Sequence, residues 1–87
     1  MYAPHTILGI HITDRIEEAV EVQKLLTANG QQIKTRLGLH EMEKEGGNNG
    51  LLLLEMIGPE EGIRELADKL NALDGVECQA MVFHHPE

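Results

Sequence analysis

Leu51-Leu52-Leu53-Leu54-Glu55-Met56-Ile57 is the most apolar run of the chain and decides its fold. On an extended backbone, Leu52, Leu54 and Met56 point one way and Leu51, Leu53 and Ile57 the other, with Glu55 interrupting the second set. A strand apolar on both sides belongs inside a sheet, because at an edge half of these side chains would stay in water. The stretch therefore predicts a central strand, and the elements on either side must supply its neighbours.

Downstream, Gly58-Pro59 breaks the strand, and Glu60 and Glu61 stand where the positive end of a helix dipole favours acids. Ile63, Leu66, Ala67, Leu70 and Leu73 then follow the three-and-four spacing of an amphipathic helix, the clearest periodicity in the chain. Asp74-Gly75 is the expected stop. Beyond it, Val76, Cys78, Ala80 and Val82 alternate with Glu77, Gln79, Met81 and Phe83 as a last strand, and residues 84–87 form a tail.

Upstream, residues 41–50 combine Glu41, Glu43 and Glu45 with Gly46-Gly47-Asn48-Asn49-Gly50, a hairpin loop with no apolar surface to bury. Before it, Ile33, Leu37 and Leu39 alternate around Thr35, with Lys34 and Arg36 on the opposite side, which suits an edge strand. A helix is predicted from Arg15 to Ala28, with Asp14 as cap candidate and Asn29-Gly30 as stop. Its apolar positions are Ile16, Ala19, Val20, Leu25 and Leu26, with Glu17, Glu18, Glu21 and Lys24 toward water. Thr6 to Ile12 opens the chain as a strand with Leu8, Ile10 and Ile12 on one side and Ile7, Gly9 and His11 on the other.

The order is strand, helix, strand, strand, helix, strand over a single α+β domain, residues 1–87. Two strand-helix-strand crossovers place both helices on one face of a four-stranded antiparallel sheet, with the first and third strands in the centre. The other face then carries Ile7, Leu51, Leu53, Met81 and Phe83 among polar neighbours such as Lys34, Arg36 and Glu77. An apolar patch of that kind is rarely left wet, so a homo-oligomer, dimer or tetramer, is expected to cover it.

Composition narrows the function classes. Fifteen acidic against seven basic residues give a formal charge of −8, which repels nucleic-acid phosphates and anionic membrane surfaces. Tyr2 and Phe83 are the only aromatics, too few for a sheet that stacks bases. A single Cys78 makes no internal disulfide, no leader pattern opens the chain, and no apolar run approaches the ~20 residues of a membrane span, so the cytoplasm is the expected address.

Candidates for chemistry are weak. His11 and His40 fall by parity on the uncovered face, and His84 and His85 end the last strand. Cys78 points the other way, however, and no paired-ligand spacing joins any two of these residues, so no metal and no cofactor is expected. Glu17-Glu18 and Glu60-Glu61 are explained by helix dipoles. The glycine cluster lacks the Lys and following helix of a phosphate loop, the chain has no serine, and a buried Cys78 has a raised thiol pKa. No enzyme is expected. The turn at Asp14, Arg15 and Ile16 is the candidate ligand site, since amide donors at a helix start attract carboxylates and phosphates.

Ile10-His11-Ile12-Thr13-Asp14-Arg15 before the first helix and Leu70-Asn71-Ala72-Leu73-Asp74-Gly75-Val76 before the last strand resemble the ACT-like branch of ferredoxin-like domains. Within it the chain most resembles the iron-only hydrogenase system regulators, through Asp14-Arg15, Val22-Gln23-Lys24-Leu25-Leu26, Ile33-Lys34-Thr35-Arg36-Leu37-Gly38 and Gly75-Val76. The resemblance implies a ferredoxin-like βαββαβ sandwich and a small regulatory module acting through a protein partner or small effector. Ile16-Glu17 stands where amino-acid-binding ACT domains commonly have Pro-Gly. The alternative is a nickel, iron or zinc sensor or metallochaperone using sheet-face histidines, and the related ligand-binding domain of nickel-responsive regulators, with His and Cys ligands on its sheet, makes His11, His40 and Cys78 the residues to test. The acylphosphatases share the skeleton, but their phosphate-cradling turn is missing here.

Overall fold

The structure is a computed structural model that describes residues 5–13, 16–40 and 50–84. Its elements are β1 (His5–Ile12), α1 (Ile16–Ala28), a 3-10 turn (Gly30–Gln32), β2 (Ile33–His40), β3 (Gly50–Met56), α2 (Glu60–Asn71) and β4 (Val76–Phe83). The strands form one antiparallel sheet in the order β2-β3-β1-β4, so the predicted central strand lies inside. Of the predicted hairpin loop, residues 41–49 lie outside the described residues and Gly50 opens β3; of the tail, only His84 is described.

Strand parity builds the core. Leu8, Ile10 and Ile12 of β1, Leu54 and Met56 of β3, and Val76 and Cys78 of β4 are buried with Val22 and Leu26 of α1 and Ile63, Leu66 and Leu70 of α2. All the strand residues in that set have one parity, so both helices cover the same side of the sheet. The register aligns them across the strands: Leu8 pairs with Leu54 and Ala80, and Ile10 with Leu52 and Cys78.

Around this core the backbone is closed by local chemistry. Gly58 has φ +97° and Gly75 φ +81°, backbone conformations that cost a side-chain-bearing residue energy, and they make the turns at the two ends of α2. Pro59 precedes α2 with φ −66° and ψ 140°, Glu60 and Glu61 fill the first turn, and Lys69 lies in the last, each charge opposed to the nearer dipole end. At the end of α1, the Leu25 carbonyl accepts both the Asn29 backbone N–H at 3.1 Å and the Asn29 side-chain amide at 2.8 Å, which closes the last turn. Asn71 bonds both ways with the Cys78 backbone, accepting from its N–H at 2.8 Å and donating to its carbonyl at 3.0 Å, and so ties the end of α2 to β4.

Three expectations are corrected. In α1 it is Val22, fully buried, that faces the sheet, whereas Val20 is 50% exposed. At 3.6 residues per turn, Val22 and Leu26 share a face, and Val20 lies about 200° around the helix from Val22. The second helix ends at Asn71 and not at Asp74-Gly75, because residues 72–75 form a turn that returns the chain to β4. The third correction lies in β2, where the register shifts between Ile33 and Thr35. A bulge puts one extra residue, Lys34, into the strand and reverses parity beyond it. Ile33 packs against the core, but Leu37 pairs with Leu53 on the side away from the helices. Arg36 pairs with Leu54 and reaches α1, where it donates to Gln23 Oε1 at 2.7 Å.

Candidate functional site on the open sheet face

The parity that buries one side of the sheet lays out the other. From β2 to β4 its cross-strand rows are Thr35, Glu55, Ile7 and Met81, then Leu37, Leu53, Gly9 and Gln79. The next row holds Leu51, His11 and Glu77, with Leu39 opposite Leu51 in register. Among the described residues no helix covers this side. Leu37, Leu51, Met81 and Phe83 are 50%, 36%, 51% and 48% exposed, and Ile7 and Leu53 between them are partly buried.

The five residues predicted for the uncovered face, Ile7, Leu51, Leu53, Met81 and Phe83, thus share one surface. Leu37 joins them, and Arg36 does not, since the bulge exchanged the two. Glu77 is on this face as expected. Lys34 lies in the bulge itself, close enough to Glu55 to act on its charge.

One end of the patch is polar. Glu55 accepts a hydrogen bond from the Thr35 hydroxyl at 2.8 Å and lies 2.8 Å from His5 Nε2. The Thr35 bond, followed by the His5 contact, holds the Glu55 carboxyl below its ordinary value of 4.5. In the middle, Gly9 has no side chain and leaves a hollow of about 220 Å³ bordered by His11, Leu51, Glu77 and Gln79.

His11 is exposed on this open face, while Cys78 is buried on the helix side with its thiol pushed up to about 11 by desolvation. The two are separated by the sheet. The bulge also changes the reading of His40, whose backbone register, opposite Gly50, belongs to the row of Ile12 on the helix side; its side chain and His85 lie outside the described residues. His84 follows β4 and is exposed. Among the described residues no three His, Cys, Asp or Glu side chains come together as a metal site.

Of the predicted ligand turn, Asp14 and Arg15 lie outside the described residues, as does the side chain of Ile16, the first residue of α1. Thr13 before it is anchored: its N–H and hydroxyl both bond to the Gly75 carbonyl, at 2.9 and 3.1 Å. Among the described residues no helix is long and apolar enough to cross a membrane.

No protein-family model and no curated protein matches the chain. Among solved structures, the uncharacterized protein TM1266 from Thermotoga maritima is similar over 92% of this chain and 96% of its own, at 25% identity and a TM-score of 0.74. The de novo designed protein Foldit4 is similar over 94% and 99%, at 16% identity and a TM-score of 0.52. A dimeric ferredoxin-like protein of unknown function from Thermobifida fusca aligns over 95% of both chains, at 13% identity and a TM-score of 0.46. With its antiparallel order β2-β3-β1-β4 and both helices on one side, the chain has a ferredoxin-like α+β fold, and it is similar in that fold to TM1266 over nearly its whole length.

Proposed function

We propose that this chain is a small non-catalytic regulatory module of the ACT-like type, which works as an oligomer assembled through its open sheet face and acts by binding a protein partner or small effector. One observation carries the reading: Leu37, Leu51, Met81 and Phe83 stay 36–51% exposed on one continuous, regular surface. A soluble chain does not keep such a patch wet without a use for it, and a sheet face is flat enough to meet another copy of itself. Regulation of the iron-only hydrogenase system is the finer form of the proposal. It is supported by the sequence resemblance through Asp14-Arg15, Val22 to Leu26 and Ile33 to Gly38. Effector binding at Asp14, Arg15 and Ile16 rests on the sequence, through the amide donors of a helix start and that resemblance.

Sedimentation velocity at micromolar concentration tests the assembly. The wild-type chain is expected to run as a dimer or tetramer, and Leu53→Glu with Met81→Glu, still folded, to lose the assembly that the open face makes; a monomeric wild type would overturn the reading. The regulatory part has its own test, in which the chain is added to a hydrogenase maturation reaction and the yield of active hydrogenase is followed. Unchanged yield at saturating chain would remove the hydrogenase assignment and leave the assembly standing.

A further inference from the structure

The two edges of the sheet are built differently. β2 is defended: its register is interrupted at Lys34, and Lys34 and Arg36 place charge along it. A bulge and basic side chains are the usual means of keeping an edge from pairing with another chain. β4, the opposite edge, has none of them. Val76-Glu77-Cys78-Gln79-Ala80-Met81-Val82-Phe83 runs in unbroken register against β1, with no Pro, Gly, Lys or Arg and one charged residue. Among the described residues no strand pairs with its outer side. At its far end Met81, Val82 and Phe83 are 51%, 44% and 48% exposed; being consecutive, they are uncovered on both sides of the sheet.

Beside that end lies a groove of about 210 Å³ between α2 and the sheet. Its apolar wall includes Ala67 of α2 with Ala80 and Val82 of β4, and α2 also contributes Glu60 and Arg64. Nearer the start of β4 the edge is already closed, since Asn71 takes the N–H and carbonyl of Cys78 and the Val76 N–H bonds to the Leu73 carbonyl. A strand laid along the far end would satisfy the outward backbone groups of Ala80 and Val82 and set alternate side chains into this groove, as in other sheet-edge recognition.

We infer that the outer edge of β4 pairs antiparallel with β4 of a second copy of this chain, so that two sheets run on as one. An antiparallel pair of identical strands is isologous, so each copy offers the surface it receives. Ala80 and Val82 of one copy then lie beside the same residues of the other. The charges fit the same symmetry. Glu60 and Arg64 stand one turn apart on α2, and a two-fold axis beside β4 brings the acid of one helix toward the base of its mate. A chain of net charge −8 resists self-association generally, so a regular edge with one charged residue and a balanced acid-base pair above it is where self-pairing is least opposed. This edge is a different surface from the open face and stands or falls independently of stacking through that face.

Residue-resolved hydrogen exchange on the full chain is the first test. At high concentration the outward amides of Ala80 and Val82 should be protected, and on dilution they should lose at least about tenfold of that protection while the β1-facing amides, and that of Cys78 bonded to Asn71, keep theirs. Outward amides that exchange freely at all concentrations overturn the inference. Disulfide mapping is the second, with Glu77→Cys, Gln79→Cys, Met81→Cys or Phe83→Cys, each in a Cys78→Ala background, and Leu37→Cys as control. Antiparallel self-pairing gives a maximum of crosslinking at one β4 position that survives when Leu53→Glu disrupts the open face and abolishes any crosslink at Leu37, whereas β4 crosslinks lost together with those at Leu37 place the contact on the face and overturn the inference. Val82→Lys alters a side chain already half in water, so the fold should persist by circular dichroism while the dimer Kd rises at least about tenfold, a loss of about 1.4 kcal/mol. An unchanged Kd overturns the inference, as does a chain that stays monomeric and protects β4 only when an unrelated extended peptide is added.

Discussion

Leu53 and Leu54 are neighbours in β3, yet Leu54 has no exposed surface and sits in the core shared by both helices, while Leu53 faces the open side and keeps part of its surface. The same contrast runs through the sheet: Leu8 and Ile10 are fully buried, and Ile7 between β3 and β4 is not. Residue type barely differs between the two sides. What differs is the second layer, since α1 and α2 spend their apolar stripes on one side and none remains for the other. Burial is therefore a property of the layering, and an aliphatic residue on the open face is available for contacts between molecules.

The largest expected effect tests that contrast directly. Leu54→Ala removes methylenes from a fully enclosed site and should lower the unfolding free energy by about 2–5 kcal/mol, whereas Leu37→Ala on the open face should stay within about 0.5 kcal/mol, both read from urea transitions at concentrations where the chain is dissociated. Comparable losses at the two sites would mean that the open face is part of the monomer's core.

Asn71→Ala comes next. It leaves the Cys78 N–H and carbonyl without their side-chain partner on the helix side, and a cost of about 1–3 kcal/mol in the same transitions is expected.

The open face has its own titratable marker. The Glu55 carboxyl is held below 4.5 by Thr35 first and His5 second, so the folded state favours its ionised form. Its contribution is present above the unfolded-state pKa and fades as the pH falls through the folded-state value. Thermal unfolding from pH 7 down to 3 should show a drop in Tm on this acid limb that Glu55→Gln flattens, and a limb unchanged in Glu55→Gln would assign the drop to other carboxylates.

On the helix side the marker is Cys78. With its thiol at about 11, it should resist alkylation at pH 8 in the folded chain and react readily in urea. Prompt labelling of the folded chain would show that the layer above it opens. Because this pKa is raised, stability attached to the protonated thiol is present at neutral pH and declines as the pH rises past the unfolded value near 9.

Much of this was legible in the residues. The period of two in Thr6 to Ile12 and Val76 to Phe83, the two-sided run from Leu51, and the helical spacing of Ile63, Leu66 and Leu70 each depend on neighbours a few positions away, and the structure places them in β1, β4, β3 and α2. The end of α2 was misread because a turn over residues 72–75 follows the helix, and the other two misreadings share one cause, the loss of phase. A bulge at Lys34 leaves no mark in composition, and it moved Leu37 to the open face and Arg36 to the helix side. In α1, Val20 and Val22 have the same side chain, and only packing against the sheet selected Val22. The candidate ligand turn at Asp14 and Arg15 lies outside the described residues, so its reading still rests on sequence.

By itself the sequence determined the type and order of the elements, the central place of the Leu51 strand and the existence of an uncovered apolar face, because alternation and helical spacing are local properties of the chain. Tertiary structure decided which residues occupy that face, which edge is left regular and open, and what stands beside it. Those outcomes depend on register between segments far apart in sequence, where one inserted residue turns every later side chain to the opposite side.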